Sequence, residues 1–290
     1  MPKVSVIIPT YNCGHLICDA VESVLKQSFI NYEIIVVDDG SNDNTRVKLF
    51  DYISAKLVTY IFQENKGLPS ARNTGINLAK GEYIFCLDAD DEMLSSTLAE
   101  LFESAQKNKS GWVISDLIRI EGDQIEIQKA KLPGEDKLMD MLRKKCYFQA
   151  RFYRKDVLDV LGGYDDQQRF YEDWDLYIRL MENGIKFSYV PQALYLYKIR
   201  RQSITKQRNL KKKLFFIERI YHKHYRRLAD NGDSEVVNLY AEHMWRLASD
   251  YFYKCHSIVA TFRCLIQSYK YDPLIIKKYL HTFKSLKCKL

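Results

Sequence analysis

No stretch of this sequence approaches the roughly 20 consecutive apolar residues that a membrane-spanning helix needs. The apolar start, Val4 to Pro9, is too short and too early for a secretory signal core. A cytosolic protein is therefore expected. Cysteine gives no framework either. There are seven, an odd number, scattered and without a CxxC pair. Reduced thiols are expected, with no sign of a disulfide scaffold or a zinc site. The six histidines lack HExxH spacing. No internal repeat and no low-complexity tract is found.

What is present is a chain of 290 residues, 47% apolar and 28% charged. That is enough for one large domain or a domain with an appendage, and enough to bury a substantial core. The net charge of +7 is unevenly spread. Residues 1–205 hold 26 Lys and Arg against 30 Asp and Glu, a net of −4. Residues 206–290 hold 18 against 7, a net of +11. Such a basic tail suits an anionic partner, or a solvated helical face.

The first half alternates strand and helix. Val4–Ile8, Glu33–Val37, Leu57–Phe62 and Tyr83–Leu87 read as strands, the first ended by Pro9. Leu16 to Leu25, Ser70 to Leu78 and Thr97 to Ala105 read as helices, with Asp43 or Asn44 capping a further one. Repeated β-α units predict a mainly parallel sheet with helices on both faces. Val113–Ser115 and Ala150–Tyr153 read as later strands and Arg169–Met181 as a helix with an acidic start. From about 207 the spacing of Leu210, Leu214, Ile217, Tyr221 and Leu228 predicts helices only.

In such sheets the working residues lie just past the carboxyl ends of the strands. Pro9-Thr10-Tyr11-Asn12, Asp38-Asp39-Gly40-Ser41 and Asp88-Ala89-Asp90-Asp91 each follow an apolar strand and are polar where it is not. Asp88 and Asp90 can share one hard cation, Mg²⁺ or Mn²⁺, which bridges to phosphate oxygens. The other reading is a helix N-cap with an acidic first turn. Asp38 and Asp39 can accept a base imide or ribose hydroxyls, or simply shape a turn. Arg72, near the start of its helix, can pair with a diphosphate or with an acidic loop. In Glu172-Asp173-Trp174-Asp175, a carboxylate beside an indole suits a general base, the ring excluding water and binding a sugar face. The same acids also complement a helix dipole.

The set VSVIIPTYN (4–12), VVDDGS (36–41), ENKGLPSARNTG (64–75), LDADD (87–91) and EDWD (172–175) resembles the GT-A glycosyltransferases of family 2. In particular it resembles the bacterial members that build surface polysaccharides. The resemblance covers about residues 1–205. It implies a GT-A nucleotide-diphospho-sugar transferase fold over 1–205, followed by a basic α-helical extension over 206–290. It implies that Pro9, Thr10, Tyr11, Asp38, Asp39, Arg72, Asp88 and Ala89 line the nucleotide pocket. Asp88 and Asp90 would hold Mn²⁺ or Mg²⁺, and Asp173 would deprotonate the acceptor hydroxyl. Glu172 and Trp174 would face the acceptor or diphosphate. The implied reaction is inverting transfer from a nucleotide-sugar, UDP by family habit, to a glycan or lipid-linked hydroxyl. One stretch departs from the family pattern Tyr-Arg-x-His-x-x-Ser. Here it reads Tyr197-Lys198-Ile199-Arg200-Arg201-Gln202-Ser203, with Arg200 at the histidine position. Arginine cannot ligate a metal, so contact with the diphosphate is the expectation there.

Two rivals are weaker. A sugar nucleotidyltransferase would want a Gly-rich basic loop after the first strand, and PTYNCG stands there instead. A non-catalytic glycan- or lipid-binding subunit would be marked by loss of the DxD pair or the base, and both are present. The tail's basic residues alternate with apolar helical positions, which favours packing over nucleic-acid binding. Its apolar stripe is expected to pack inward, either alone or with a cationic face, densest at Lys211, Lys212 and Lys213, lying on an anionic membrane; otherwise the tail is structural or an oligomer contact.

Overall fold

The computed structural model describes residues 1–135, 137–143, 149–200, 209–230, 232 and 234–275. The chain divides into two units, 1–206 and 207–290.

The first unit is built on a sheet of nine strands among the described residues. Four form its parallel part: β1 (Val4–Thr10), β2 (Tyr32–Asp38), β3 (Thr59–Phe62) and β4 (Tyr83–Cys86), in the order β3-β2-β1-β4. The sheet continues through β8 (Gln149–Arg154), β6 (Trp112–Glu121), β9 (Phe187–Ile199) and β5 (Glu92–Met93), with β7 (Gln124–Gln128) on β6. β8 runs antiparallel to both β4 and β6, and β5 antiparallel to β9, while β6 and β9 are parallel. The sheet is thus mixed beyond β4.

Alternation along β1 explains the layers. Val4, Val6 and Ile8 join a core with Ile17, Ala20, Val21 and Val24 of α1 (Ile17–Leu25). Ile7 points the other way, toward α4 (Leu68–Leu78). A Cβ on Gly75 would lie 2.4 Å from the Ile7 side chain, so only glycine lets α4 come this close. Between them come the short helices α2 (Thr45–Lys48) and α3 (Phe50–Ser54). Asp43 takes the amide and hydroxyl of Thr45 at the entry to α2. Then follow α5 (Thr97–Asn108), α6 (Lys137–Leu142), α7 (Lys155–Leu161) and α8 (Glu172–Glu182).

Pro9 does not end β1. It pairs in register with Val37, and Thr10 with Asp38. The backbone of Ile7 faces β4, where its carbonyl accepts from Leu87. Two residues on, Pro9 faces the same side, past the end of the β1–β4 ladder. Its missing N–H therefore costs no ladder bond.

The second unit is helical: α9 (Leu210–Ile220), a π-helical turn (Tyr221–Tyr225), α10 (Arg226–Asp230), α11 (Ser234–Cys255) and α12 (Ile258–Tyr271). Leu214, Phe216, Ile220 and Tyr221 are buried, whereas Leu210 is exposed at the first turn. Glu218 is buried and held by Arg263 at 2.7 Å and by the Tyr251 hydroxyl at 3.0 Å. No described helix is long and apolar enough to cross a membrane.

Candidate active site

The four parallel strands bring their carboxyl ends to one edge, and the loops there are stitched together. The Asp39 amide donates to the Thr10 carbonyl at 2.8 Å, and the Gln63 amide to the Asp38 carbonyl at 2.9 Å. Pro9 and Thr10 are buried in β1, Tyr11 is half-exposed beyond it, and the Asn12 amide donates to Ser41 Oγ.

Asp38 and Asp39 are both buried and both shape the loops around them. Asp38 accepts the Ser41 amide at 2.8 Å and the Tyr60 hydroxyl at 2.6 Å. Asp39 accepts the amides of Lys66 at 2.9 Å and Gly67 at 2.8 Å, with Gln63 Nε2 at 2.7 Å. These bonds fix the entry to α4, where Gly67 takes φ +97°.

Arg72 follows on the first turns of α4 and is 1% exposed. Its guanidinium reaches three acids: Asp88 at 2.8 Å, Glu172 at 3.0 Å and Asp173 at 3.2 Å. Its flat face lies 5.0 Å from the ring of Tyr164. The loop after β4 and the start of α8 are 101 residues from Arg72 at the farthest, yet one side chain joins them. A second arginine, Arg151 on β8, holds the other oxygen of Asp88 at 2.9 Å and is 7% exposed. Burial alone would raise the Asp88 pKa, but Arg151 and Arg72 together hold it below the usual carboxylate range.

The rest of the DADD loop is fixed from β9. Asp91 is buried and accepts the Tyr195 hydroxyl at 2.7 Å and the Lys198 amide at 2.8 Å. Burial, with Asp88 and Asp90 nearby, pushes its carboxyl up to about 8. Arg200 donates to the Asp90 carbonyl and lies 4.0 Å from its carboxylate. Arg201, Gln202 and Ser203 lie outside the described residues. Ala89 is buried.

At α8, three acids stand in the first turn, where the helix dipole favours them. They do different things. Asp175 is buried and pairs with Arg179 at 2.8 Å. Glu172 is pushed up to about 7 by burial and by Asp173 beside it, against the pull of Arg72. Asp173 has its side chain 26% exposed, with Oδ1 on Arg72. Trp174 donates its indole N–H to the Met141 carbonyl.

Asp88 and Asp90 suit a hard divalent cation by donor type. Two of the roughly four acceptor positions of Asp88 are used by the arginines, which leaves two. Burial and Asp88 raise the Asp90 pKa, the mark of a place short of positive charge. Among the described residues no three His, Cys, Asp or Glu are arranged to hold a metal by themselves. Phosphate oxygens or water would have to complete such a shell.

Sequence reasoning did not single out Arg151, Tyr164 or Tyr195. A signal existed for Arg151: a charge inside an apolar strand, QARFYR, needs a buried counter-charge.

A parallel β3-β2-β1-β4 array with acids on its loops, continued by mixed strands, is the GT-A glycosyltransferase fold. The chain belongs to glycosyltransferase family 2, whose description, Glycosyl transferase family 2, matches residues 5–163. One relative is the UDP-Glc:alpha-D-GlcNAc-diphosphoundecaprenol beta-1,3-glucosyltransferase WfgD of Escherichia coli. It is 34% identical over 122 residues, 42% of this chain and 48% of WfgD. Another is the GalNAc(5)-diNAcBac-PP-undecaprenol beta-1,3-glucosyltransferase of Campylobacter jejuni. It is 30% identical over 210 residues, 70% of this chain and 66% of that protein. The chain thus spans between about half and two thirds of these relatives' own lengths. In fold it is similar to S. aureus TarS 1-349 in complex with UDP-GlcNAc, with TM-score 0.72 at 20% identity over 96% of this chain and 85% of that one.

Proposed function

We propose that this chain is an inverting, metal-dependent glycosyltransferase that moves a sugar from a nucleotide-diphosphate sugar, a UDP-sugar, to a hydroxyl of a glycan or lipid-linked acceptor in bacterial surface polysaccharide synthesis. One observation carries the reading. Arg72 ties the DxD loop to the acid-rich start of α8 at the carboxyl edge of the parallel strands. A donor-side acid and an acceptor-side acid thereby share one edge. The names of the two relatives, which specify undecaprenol-linked acceptors and, for one, UDP-Glc, support the substrate class.

In this reading residues 1–205 are the transferase domain and 206–290 a basic extension. Pro9, Thr10, Tyr11, Asp38, Asp39, Ala89 and the loops they hold form the nucleotide pocket. Asp90, with Asp88, would hold Mn²⁺ or Mg²⁺, and Arg200, which lies against Asp90, would contact the diphosphate. When bound, the cation supplies charge stabilisation on the diphosphate leaving group. Asp173 takes the proton of the acceptor hydroxyl. Its Oδ1 is oriented by Arg72, while Oδ2 has no hydrogen-bond partner among the described residues. Glu172 and Trp174 flank that acceptor position. The acceptor hydroxyl itself displaces the nucleoside diphosphate, which leaves no covalent sugar on the protein, so no nucleophilic residue is required. The site of action is the cytosolic side of the membrane, where lipid-linked acceptors present their head groups.

The test is a screen of nucleotide-sugars, with Mn²⁺ or Mg²⁺, for donor hydrolysis and for thermal stabilisation. At least one UDP-sugar should be hydrolysed slowly without acceptor, and chelation should stop it. If no nucleotide-sugar stabilises the protein or is hydrolysed, the reading fails.

A further inference from the structure

α12 is turned inside out. Its buried side is small and partly polar: Ala260, Thr261, Cys264 and Ser268. Ser268 donates its hydroxyl to the Ala241 carbonyl of α11 at 2.8 Å. The large apolar residues Ile258, Val259, Phe262, Ile266 and Tyr269 are 53–79% exposed. At 3.6 residues per turn these five fall within an arc of about 100°. That is the width of a stripe that a globular helix normally buries. Phe252 and Tyr253, at the end of α11 just before α12, are exposed as well. A contiguous patch of this kind marks an interaction surface.

Charge decides the occupant. The described residues of this unit carry 11 Lys and Arg against 6 Asp and Glu. Lys270 borders the apolar arc on α12 and is exposed. A second copy docked on the same face would bring two units of net positive charge together. A glycan would find few hydrogen-bonding groups among aliphatic and phenyl side chains. A surface with anionic head groups above an apolar layer matches both properties at once. We propose that the outer face of α12 docks in the interface of an anionic lipid bilayer, its apolar arc among the acyl chains near the head groups and Lys270 against the phosphates. This inference stands on the second unit alone and does not depend on the transferase reading.

The test is co-sedimentation of the full chain with vesicles of phosphatidylglycerol and phosphatidylcholine, and with vesicles of phosphatidylcholine alone. Wild-type protein should bind the anionic vesicles, and added salt should weaken that binding. The double substitution Phe262→Gln and Ile266→Gln should reduce it about a hundredfold, from the loss of two buried apolar side chains. Because both residues are exposed, circular dichroism and melting of the double variant should match wild type. A Phe262→Trp variant gives a readout that does not depend on removing residues, since its emission should shift to the blue with anionic vesicles. Three results would overturn the proposal: no binding to anionic vesicles at low salt, equal binding by the double variant, or a wild-type dimer that the double variant converts to monomer. The last would assign the face to a second copy.

Discussion

Replacing Arg151 with Met removes one of the two cations that hold Asp88 while keeping an apolar stem in the same space. Breaking a fully buried pair costs about 3–5 kcal/mol. Asp88 retains Arg72 at 2.8 Å, and its side chain is 21% exposed, so water relieves part of the loss. The cost should therefore fall near the low end, about 2–3 kcal/mol. For a unit of roughly 200 residues that lowers Tm by about 5–10 °C. Calorimetry on the full chain reads this directly at neutral pH. The companion variant is Asp88→Asn, which removes the charge Arg151 serves. In that background Arg151→Met should cost less, with a coupling of about 1–3 kcal/mol.

The pH dependence has a fixed sign. Asp88 has its pKa lowered in the folded chain. Its contribution is present above the unfolded carboxylate value of about 3.9 and is lost as pH falls through the folded value. Without Arg151 the folded value moves up. The gap between wild type and variant should be full at neutral pH and should close in acid. A variant that melts within about 2 °C of wild type at neutral pH, or that costs the same with Asp88 and with Asn there, would refute the pairing as the reason Arg151 is buried.

Asp90→Ala, or excess chelator, should abolish transfer, because charge on the departing diphosphate is then uncompensated by several kcal/mol; product formation with and without Mn²⁺ checks this. Asp173→Asn should lower turnover by about 10²- to 10⁴-fold while donor affinity survives, read as kcat against donor Kd. Glu172, raised to about 7, makes the fold lose stability as pH rises from the unfolded carboxylate range through about 7. Glu172→Gln should remove that slope, which melts across this range would show as a difference from wild type. Gly75→Ala should cost about 1–3 kcal/mol, since the added methyl meets Ile7 at 2.4 Å; urea unfolding measures it.

The parallel part of the sheet was legible because its strands are short apolar runs with polar loops directly behind them. Burial on both faces removes the alternation that would otherwise hide such runs. The mixed part was not legible. β9 pairs in parallel with β6, which begins 75 residues earlier, and its register shifts around Asp116. No local pattern encodes such a pairing. β1 was read two residues short because proline usually ends a strand, and the sequence does not say that β4 stops before reaching Pro9. In the site, Asp38, Asp39, Asp88 and Asp90 were visible as acids after apolar strands, and Asp173 as an acid beside an indole at a helix start. Their partners were not. Asp91 meets Tyr195 from 104 residues away, and Arg151 lies in a strand read only for its apolar neighbours. In the second unit the helical spacing was legible, but spacing does not say which side is buried. Ala260, Cys264 and Ser268 recur at the same interval as Ile258, Phe262 and Ile266. Close packing on α11 selected the small set.

The two buried arginines and the acids around them do not balance, and the imbalance bears on how the site works. Arg72 and Arg151 bring two positive charges to Asp88, Glu172 and Asp173. One negative charge is in excess, and it is costly at Glu172, the most buried of the three acids. Burial, with Asp173 beside it, pushes the Glu172 carboxyl up to about 7. Near neutral pH a proton can therefore sit on Glu172, leaving Arg72 to Asp88 and Asp173. That division separates two neighbouring acids on one helix turn, Glu172 able to hold a proton and Asp173 held by Arg72 through Oδ1. Arg72 then has a use that a nucleotide contact alone would not require. It fixes the start of α8, through Glu172 and Asp173, relative to the Asp88 loop. A lysine could hold only one of these acids at full strength, because its three donors lack the planar fork that reaches both sides of the site.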